Sequence, residues 1–422
     1  MSVMRAAALV LLLYLLSCLS PISPVSAWAG AGQSQAQAPC QVEPRKDLVF
    51  LYGVNLTYMN RGGEPVELSD ADLAFPVFMN SSWQKARLIW TSPPVEKVAV
   101  DADGNLWAVL SVEDRTLEPG ENLTLSARFE ITTRPRDPPA ISVQRAGDLG
   151  DVPWLLKREY CRRAACWLTD DPALVSLAHQ LAGNKTNVLE IIAAFVAWIH
   201  EEVAYESHEI PLYPNETYKG RRGDCDDQAN LFITLCRIVG VPAYLQVGCI
   251  YLPEPMPRHA LAWDGHYELS AFRVGWHGWA VAYVPPWGWL PVDLTASAGL
   301  EEDPLNAIRT AIAWSQFTII AVEIRTVDYV GATRAAREEV VSSGLYIREE
   351  EALRLVREEV STSYMQELVR KLATYLLLTM AVLGGTALAV GIFLARRRKR
   401  PRQLIPSWPV IPGQVLRGPR TP

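Results

Sequence analysis

The chain has 422 residues, is 49% hydrophobic and 20% charged, and carries a formal net charge of −6. That composition excludes a disordered chain, and the acidic balance argues against nucleic acid as a partner. The length leaves room for roughly two or three domains.

Residues 1–27 hold one early cation, Arg5, then an apolar run from Ala6 to Leu19 and a small-residue ending, Val25-Ser26-Ala27. This is the pattern of a secretory signal peptide, and the run is short for a membrane span. Residues 28–46, rich in Ala, Gly, Ser and Gln, read as a flexible spacer. From 47 to 133 short alternating runs follow: Leu48–Val54, Ala86–Trp90, Val98–Val100, Leu106–Leu110 and Leu123–Phe129. Turn signals at Asn60–Gly63, Asp103–Asn105 and Pro119-Gly120 separate them, which predicts a β-sandwich domain. Asp101–Asn105 lacks the ligand spacing and closing glutamate of a calcium loop, so it reads as a hairpin turn. The Pro-rich stretch opening 134–150 reads as a linker.

Residues 151–330 carry the chemistry. Helices are predicted over Pro172–Leu181 and Asn187–Val203, the second with a core stripe of Leu189, Ile192, Phe195, Val196 and Ile199. Then Gly220–Pro242 delivers one cysteine, Cys225, to the first turn of a third helix. Gly223 and Asp224 supply the turn and N-cap, and Gly240 followed by Pro242 ends the helix. A thiol there feels the positive end of the helix dipole, which favours the attacking thiolate. Such a nucleophile needs a base and an orienting group. His277–Thr295 reads as two strands joined by a Pro-Trp-Gly turn, with His277 on the first and Asp293 at the end of the second. Residues 256–272 are an ambiguous insert.

These segments, from about Asp171 to Thr295, resemble the transglutaminase-like superfamily, relatives of papain-type cysteine proteases. The resemblance rests on Gly223-Asp224-Cys225-Asp226-Asp227, His277-Gly278-Trp279 and Gly288-Trp289-Leu290-Pro291-Val292-Asp293-Leu294-Thr295, with Leu294 standing where proline is common. It implies an α+β, papain-like domain with the cysteine on a helix and the histidine and aspartate on an antiparallel sheet. It also implies catalytic roles for Cys225, His277 and Asp293. His277 would withdraw the thiol proton, Asp293 would hold the imidazole, and the thiolate would attack an amide carbonyl of a protein or peptide. Water resolving the acyl-enzyme gives a peptidase or amidase; an amine gives a transglutaminase. A silent domain used for binding is the alternative. No cofactor and no metal are expected.

Of the six histidines, His266 is the competitor for the base. Of the seven cysteines, Cys18 leaves with the signal, Cys161 could pair with Cys166 or either with Cys40, and Cys236 reads as a buried thiol. Cys225 is expected in an open cleft, packed against little. The tryptophans Trp276, Trp279, Trp287 and Trp289 read mainly as core and hairpin packing.

Residues 331–371 alternate Arg and Glu and read as a charged helical stalk. Residues 372–395 are apolar and uncharged, long enough for a single transmembrane helix, and Arg396–Arg400 begin a basic tail, 396–422. The positive-inside rule puts that tail in the cytoplasm and everything from Trp28 to Lys371 outside. All acidic residues precede Leu372, and five sequons, at Asn55, Asn80, Asn122, Asn184 and Asn215, fall in that exterior part.

Overall fold

The strands foreseen in the N-terminal third form, and three of them make a small sheet among themselves, but the longest join a sheet that strands from the end of the chain complete. The structure, a computed structural model, describes residues 46–253 and 257–360. Strand β1 (Lys46–Asn60) keeps strict alternation, with Phe50, Tyr52, Val54, Leu56 and Tyr58 inward. After it come β2 (Ala74–Val77), β3 (Gln84–Ser92), β4 (Val95–Val100), β5 (Leu106–Leu110) and β6 (Asn122–Thr133). Helices α1 (Trp154–Tyr160), α2 (Pro172–Ala182), α3 (Val188–Glu202), α4 (Pro214–Gly220) and α5 (Cys225–Val239) follow. The chain then forms β7 (Ala243–Tyr251), β8 (Pro257–Ala262), β9 (Tyr267–Phe272), β10 (Val274–Val284) and β11 (Gly288–Val292). It ends with α6 (Asn306–Ala313), β12 (Thr318–Ile324), α7 (Tyr329–Ser343) and β13 (Leu345–Val360).

A six-stranded sheet has the order β8-β9-β13-β1-β6-β3, a four-stranded one β11-β10-β7-β12, and a three-stranded one β2-β5-β4. In the first, β1 is antiparallel to both β6 and β13, and β9 runs parallel to β13. The expected stalk is therefore corrected over its described residues, 331–360: it is helix α7 up to Ser343 and then a central strand, and 361–371 lie outside the described residues. The inward set of β13 is Leu345, Ile347, Glu349, Glu351 and Leu353. Two glutamates at core positions hide the period-two pattern that would have announced a strand. The insert at 257–272 is the β8–β9 hairpin completing the same sheet.

The boundary expected at 134–150 is also overturned. Gly147 donates to Pro285 at 2.8 Å, Leu149 to Thr186 at 2.8 Å, and the Asn187 side chain donates to Val143 and Ala146. Two side chains of the N-terminal third seal the edge of β12. The Gln84 carboxamide both donates to the Ile320 carbonyl and accepts from its N–H, each at 2.7 Å. Asn105 does the same for Glu323 at 2.8 and 2.9 Å. Each amide takes the place of a neighbouring strand, leaving no open backbone at those positions. The Asp103 carboxylate, from the loop expected as a turn, accepts the N–H of Arg325, Thr326 and Val327.

Among the described residues one large core joins the N-terminal strands to the cysteine helix, and a smaller cluster holds Tyr160, Tyr244, Trp279 and Val281. Phe78 stacks on Trp276 at 6.2 Å and meets Tyr52 and Phe129 edge-on, so β10 is packed directly on the first sheet. Helix α5 is buried from Cys225 to Arg237, enclosed by α2, α3 and α4 on one side and β10 and β7 on the other. Its Leu231, Phe232 and Leu235 are fully buried, each side chain stabilising the fold by about 1.5–3 kcal/mol. Cys161 and Cys166 do not form a disulfide with each other, and Cys40 lies outside the described residues. Residues 1–27 and 372–395 also lie outside them, and no helix among the described residues is long and apolar enough to cross a membrane.

Candidate active site

Helix α5 starts at Cys225 because the backbone of Asp224 is extended and the carboxylate of Asp227 accepts the Asp224 N–H at 3.2 Å. Gly223 is required there: a Cβ would sit 2.7 Å from the Cβ of Asp227. The other oxygen of Asp227 accepts the Leu212 N–H at 2.6 Å, and Asp224 accepts the His208 N–H at 3.4 Å. Segment 206–213 is thereby strapped across the start of the helix.

Strand β10 brings His277 to this helix start. Gly278 makes the approach possible, since a Cβ on it would lie 2.9 Å from that of Asp226. The His277 ring is hydrogen-bonded to the Cys225 sulfur. Its Nε2 faces the Asp293 Oδ2 at 2.9 Å. The other oxygen of Asp293 accepts the N–H of Thr295 at 3.1 Å and of Ala296 at 3.0 Å, so the turn after β11 aims the carboxylate. Leu294, in the position where proline is common, is buried and leaves this turn intact.

The structure thus brings Cys225, His277 and Asp293 together, and it places His266 elsewhere. The Nδ1 of His266 lies 2.8 Å from the Leu345 carbonyl, and the ring stacks on Tyr346. His259 pairs with Glu268. The open cleft does not form: Cys225 and His277 are 2% exposed and Asp293 8%.

Burial opposes a charge on His277, but the Asp293 carboxylate and the Cys225 thiolate outweigh it and hold the imidazole well above its ordinary value. Burial likewise opposes ionisation of Asp293, and the imidazole with the two backbone N–H groups reverses it, leaving the carboxyl below its usual range. Asp224 and Asp227 are raised, first by burial and then by neighbouring carboxylates; Asp224 also feels the Cys225 thiolate. Burial pushes the thiols of Cys236, Cys249 and Cys166 far up. Asp224, Cys225 and Asp226 have possible ligand atoms within 4.8 Å of one another. The Asp226 carboxylate is engaged by the Tyr329 hydroxyl at 2.6 Å, and the sulfur by His277.

Three further residues belong to the site: Trp279, which the sequence showed only as the end of the His277-Gly278-Trp279 motif, and Gln246 and Glu323, which it did not show. The Trp279 indole stacks beside the His277 ring, centroids 5.8 Å apart and planes at 26°. Its N–H donates to Gln246 at 3.0 Å, and Gln246 donates to Glu323 at 3.1 Å. The available signal was a lone polar residue in each of two apolar strands, AYLQVGCIY and TIIAVEI.

Residues 175–294 match the sequence profile of the Transglutaminase-like superfamily. Among solved structures, a candidate cysteine protease from Cytophaga hutchinsonii is 18% identical, over 74% of this chain and 90% of that one, with a TM-score of 0.43. The periplasmic domain of TgpA from Pseudomonas aeruginosa, bound to ethylmercury, is 17% identical over 66% of this chain and 81% of that one, with a TM-score of 0.29. No curated protein matches the chain. Residues 175–294, with the cysteine helix and the histidine and aspartate strands just described, are a transglutaminase-like domain.

Proposed function

We propose that the chain is a membrane-anchored cysteine enzyme that transfers acyl groups from protein or peptide amides, with its catalytic part outside the cell and its basic tail in the cytoplasm. The observation that carries the chemistry is one line of contacts: Cys225 sulfur to His277, and His277 Nε2 to Asp293 at 2.9 Å. Held above its ordinary value, the imidazole is suited to take the Cys225 proton, which gives the attacking thiolate. The thiolate attacks the amide carbonyl. The backbone N–H of Cys225, at a helix start, is suited to receive the oxyanion. The imidazolium returns its proton to the leaving amine, and water or a second amine then releases the acyl group.

The test is a thiol-directed activity probe on intact cells. Labelling of Cys225 at neutral pH that is lost in His277→Ala supports the enzyme. Labelling of Cys236 instead, or of Cys225 equally in both proteins, sinks it and leaves a binding module. The anchoring rests on the apolar run 372–395 and the cations after it. Protease added outside should remove the catalytic part and spare a tag placed after Pro422; the reverse result defeats the orientation.

A further inference from the structure

His277 is gripped at its edge by Asp293 and Cys225, but a ring held only at its edge can still tilt. Its face is covered by Trp279, and the indole is itself held in place. An indole N–H only donates, so the atom of Gln246 facing it at 3.0 Å must be the carbonyl oxygen. That forces the Gln246 NH2 toward Glu323, 3.1 Å away. The Glu323 carboxylate only accepts, and it also receives the Tyr244 hydroxyl at 3.1 Å and pairs with Arg325. The direction of every bond is therefore fixed from Arg325 to the indole. Gln246 and Glu323 are 9% and 8% exposed, so water competes little. The far end is fixed as well, since the Asn105 side chain holds both backbone groups of Glu323.

Resting on the catalytic reading above, we infer that Gln246 and Glu323 are positioning residues for His277, acting through Trp279. The indole keeps the imidazole in line with both Cys225 and Asp293 and keeps water from their bonds. Freeing it admits water, and every group of the site moves toward its solution value. His277, held above that value, then falls toward it. The ion pair should break at a lower pH and the ring should lose its alignment.

The experiment measures the rate at which iodoacetamide alkylates Cys225 in the full-length chain between pH 5 and 10, with thermal midpoints for each variant. Gln246→Leu and Trp279→Phe should each slow alkylation at pH 7 by roughly tenfold to a hundredfold. Each should also move the alkaline limb of the profile to lower pH. Gln246→Leu should add nothing in a Trp279→Phe background, because the N–H it served is gone. Glu323→Gln, which keeps shape but loses the purely accepting partner, should shift the limb in the same direction by less. It stands in for Gln246→Leu if that protein does not fold. A Gln246→Leu profile superimposed on the wild type overturns the inference, as do losses that multiply in the double variant. A wild type whose Cys225 is unreactive throughout instead sinks the catalytic reading itself.

Discussion

Among the buried acids, Asp227 in the first turn of α5 and the glutamates in the middle of β13 are held in opposite ways. At α5, Asp227 is satisfied by backbone, the N–H groups of Leu212 and Asp224. At β13 the donors are side chains. Glu351 accepts from the Tyr52 hydroxyl and the Trp276 indole, both at 2.8 Å, and Glu349 from the Tyr267 hydroxyl at 2.6 Å. Burial raises all three carboxyls. A displaced acid is thus no mark of chemistry by itself. Only the α5 cluster adjoins a thiol bonded to an imidazole.

The sharpest way to break the comparison is Asp227→Ala. It leaves two N–H groups at the helix start unpaired and releases the strap at 206–213. The expected loss is roughly 2–5 kcal/mol, read from urea denaturation at pH 7. A loss below about 0.5 kcal/mol would show that the cap contributes little.

Next comes the pH dependence of β13. Glu351 is pushed up to about 7, against 4.5 for an unperturbed glutamate. Between those values the native state holds a proton that the unfolded state has released, so stability falls as pH rises through the window. The group's contribution is about 3 kcal/mol, and Glu349 works in the same direction. Glu351→Gln should flatten that slope in denaturation series from pH 4.5 to 8. An unchanged slope would place the titration elsewhere.

The smallest effects compare two cysteines on one helix. Cys236→Ala should cost about 1 kcal/mol, as a small cavity does, and keep alkylation of Cys225 intact. Cys225→Ala should shift the thermal midpoint little, because the lost contacts are offset by relief of a buried ion pair, and it should remove all acyl transfer. Similar activity losses in the two variants would show that the thiols are not separated in role.

Legibility follows the same division. Helix α5 and its cysteine could be read because Asp224, Gly240 and Pro242 punctuate it locally. The pairing of His277 and Asp293 was legible only through the resemblance to the transglutaminase-like motifs. Strand β13 could not, because Glu349 and Glu351 find their donors on β1, β9 and β10, far away in the chain. The carboxamides of Gln84 and Asn105 were equally silent, since an amide that imitates a strand looks like any loop residue until its partner is placed.

The pairing of Lys46 with Val360 has a consequence for synthesis. The first described strand completes its hydrogen bonds only when the last has left the ribosome. Until then β1 can pair with β6 but keeps its other edge open, an invitation to foreign strands. So long a closure is slow. The chain therefore depends on protection of that edge, and a nascent chain stopped before Leu345 should be captured by holdases more strongly than one stopped after Val360.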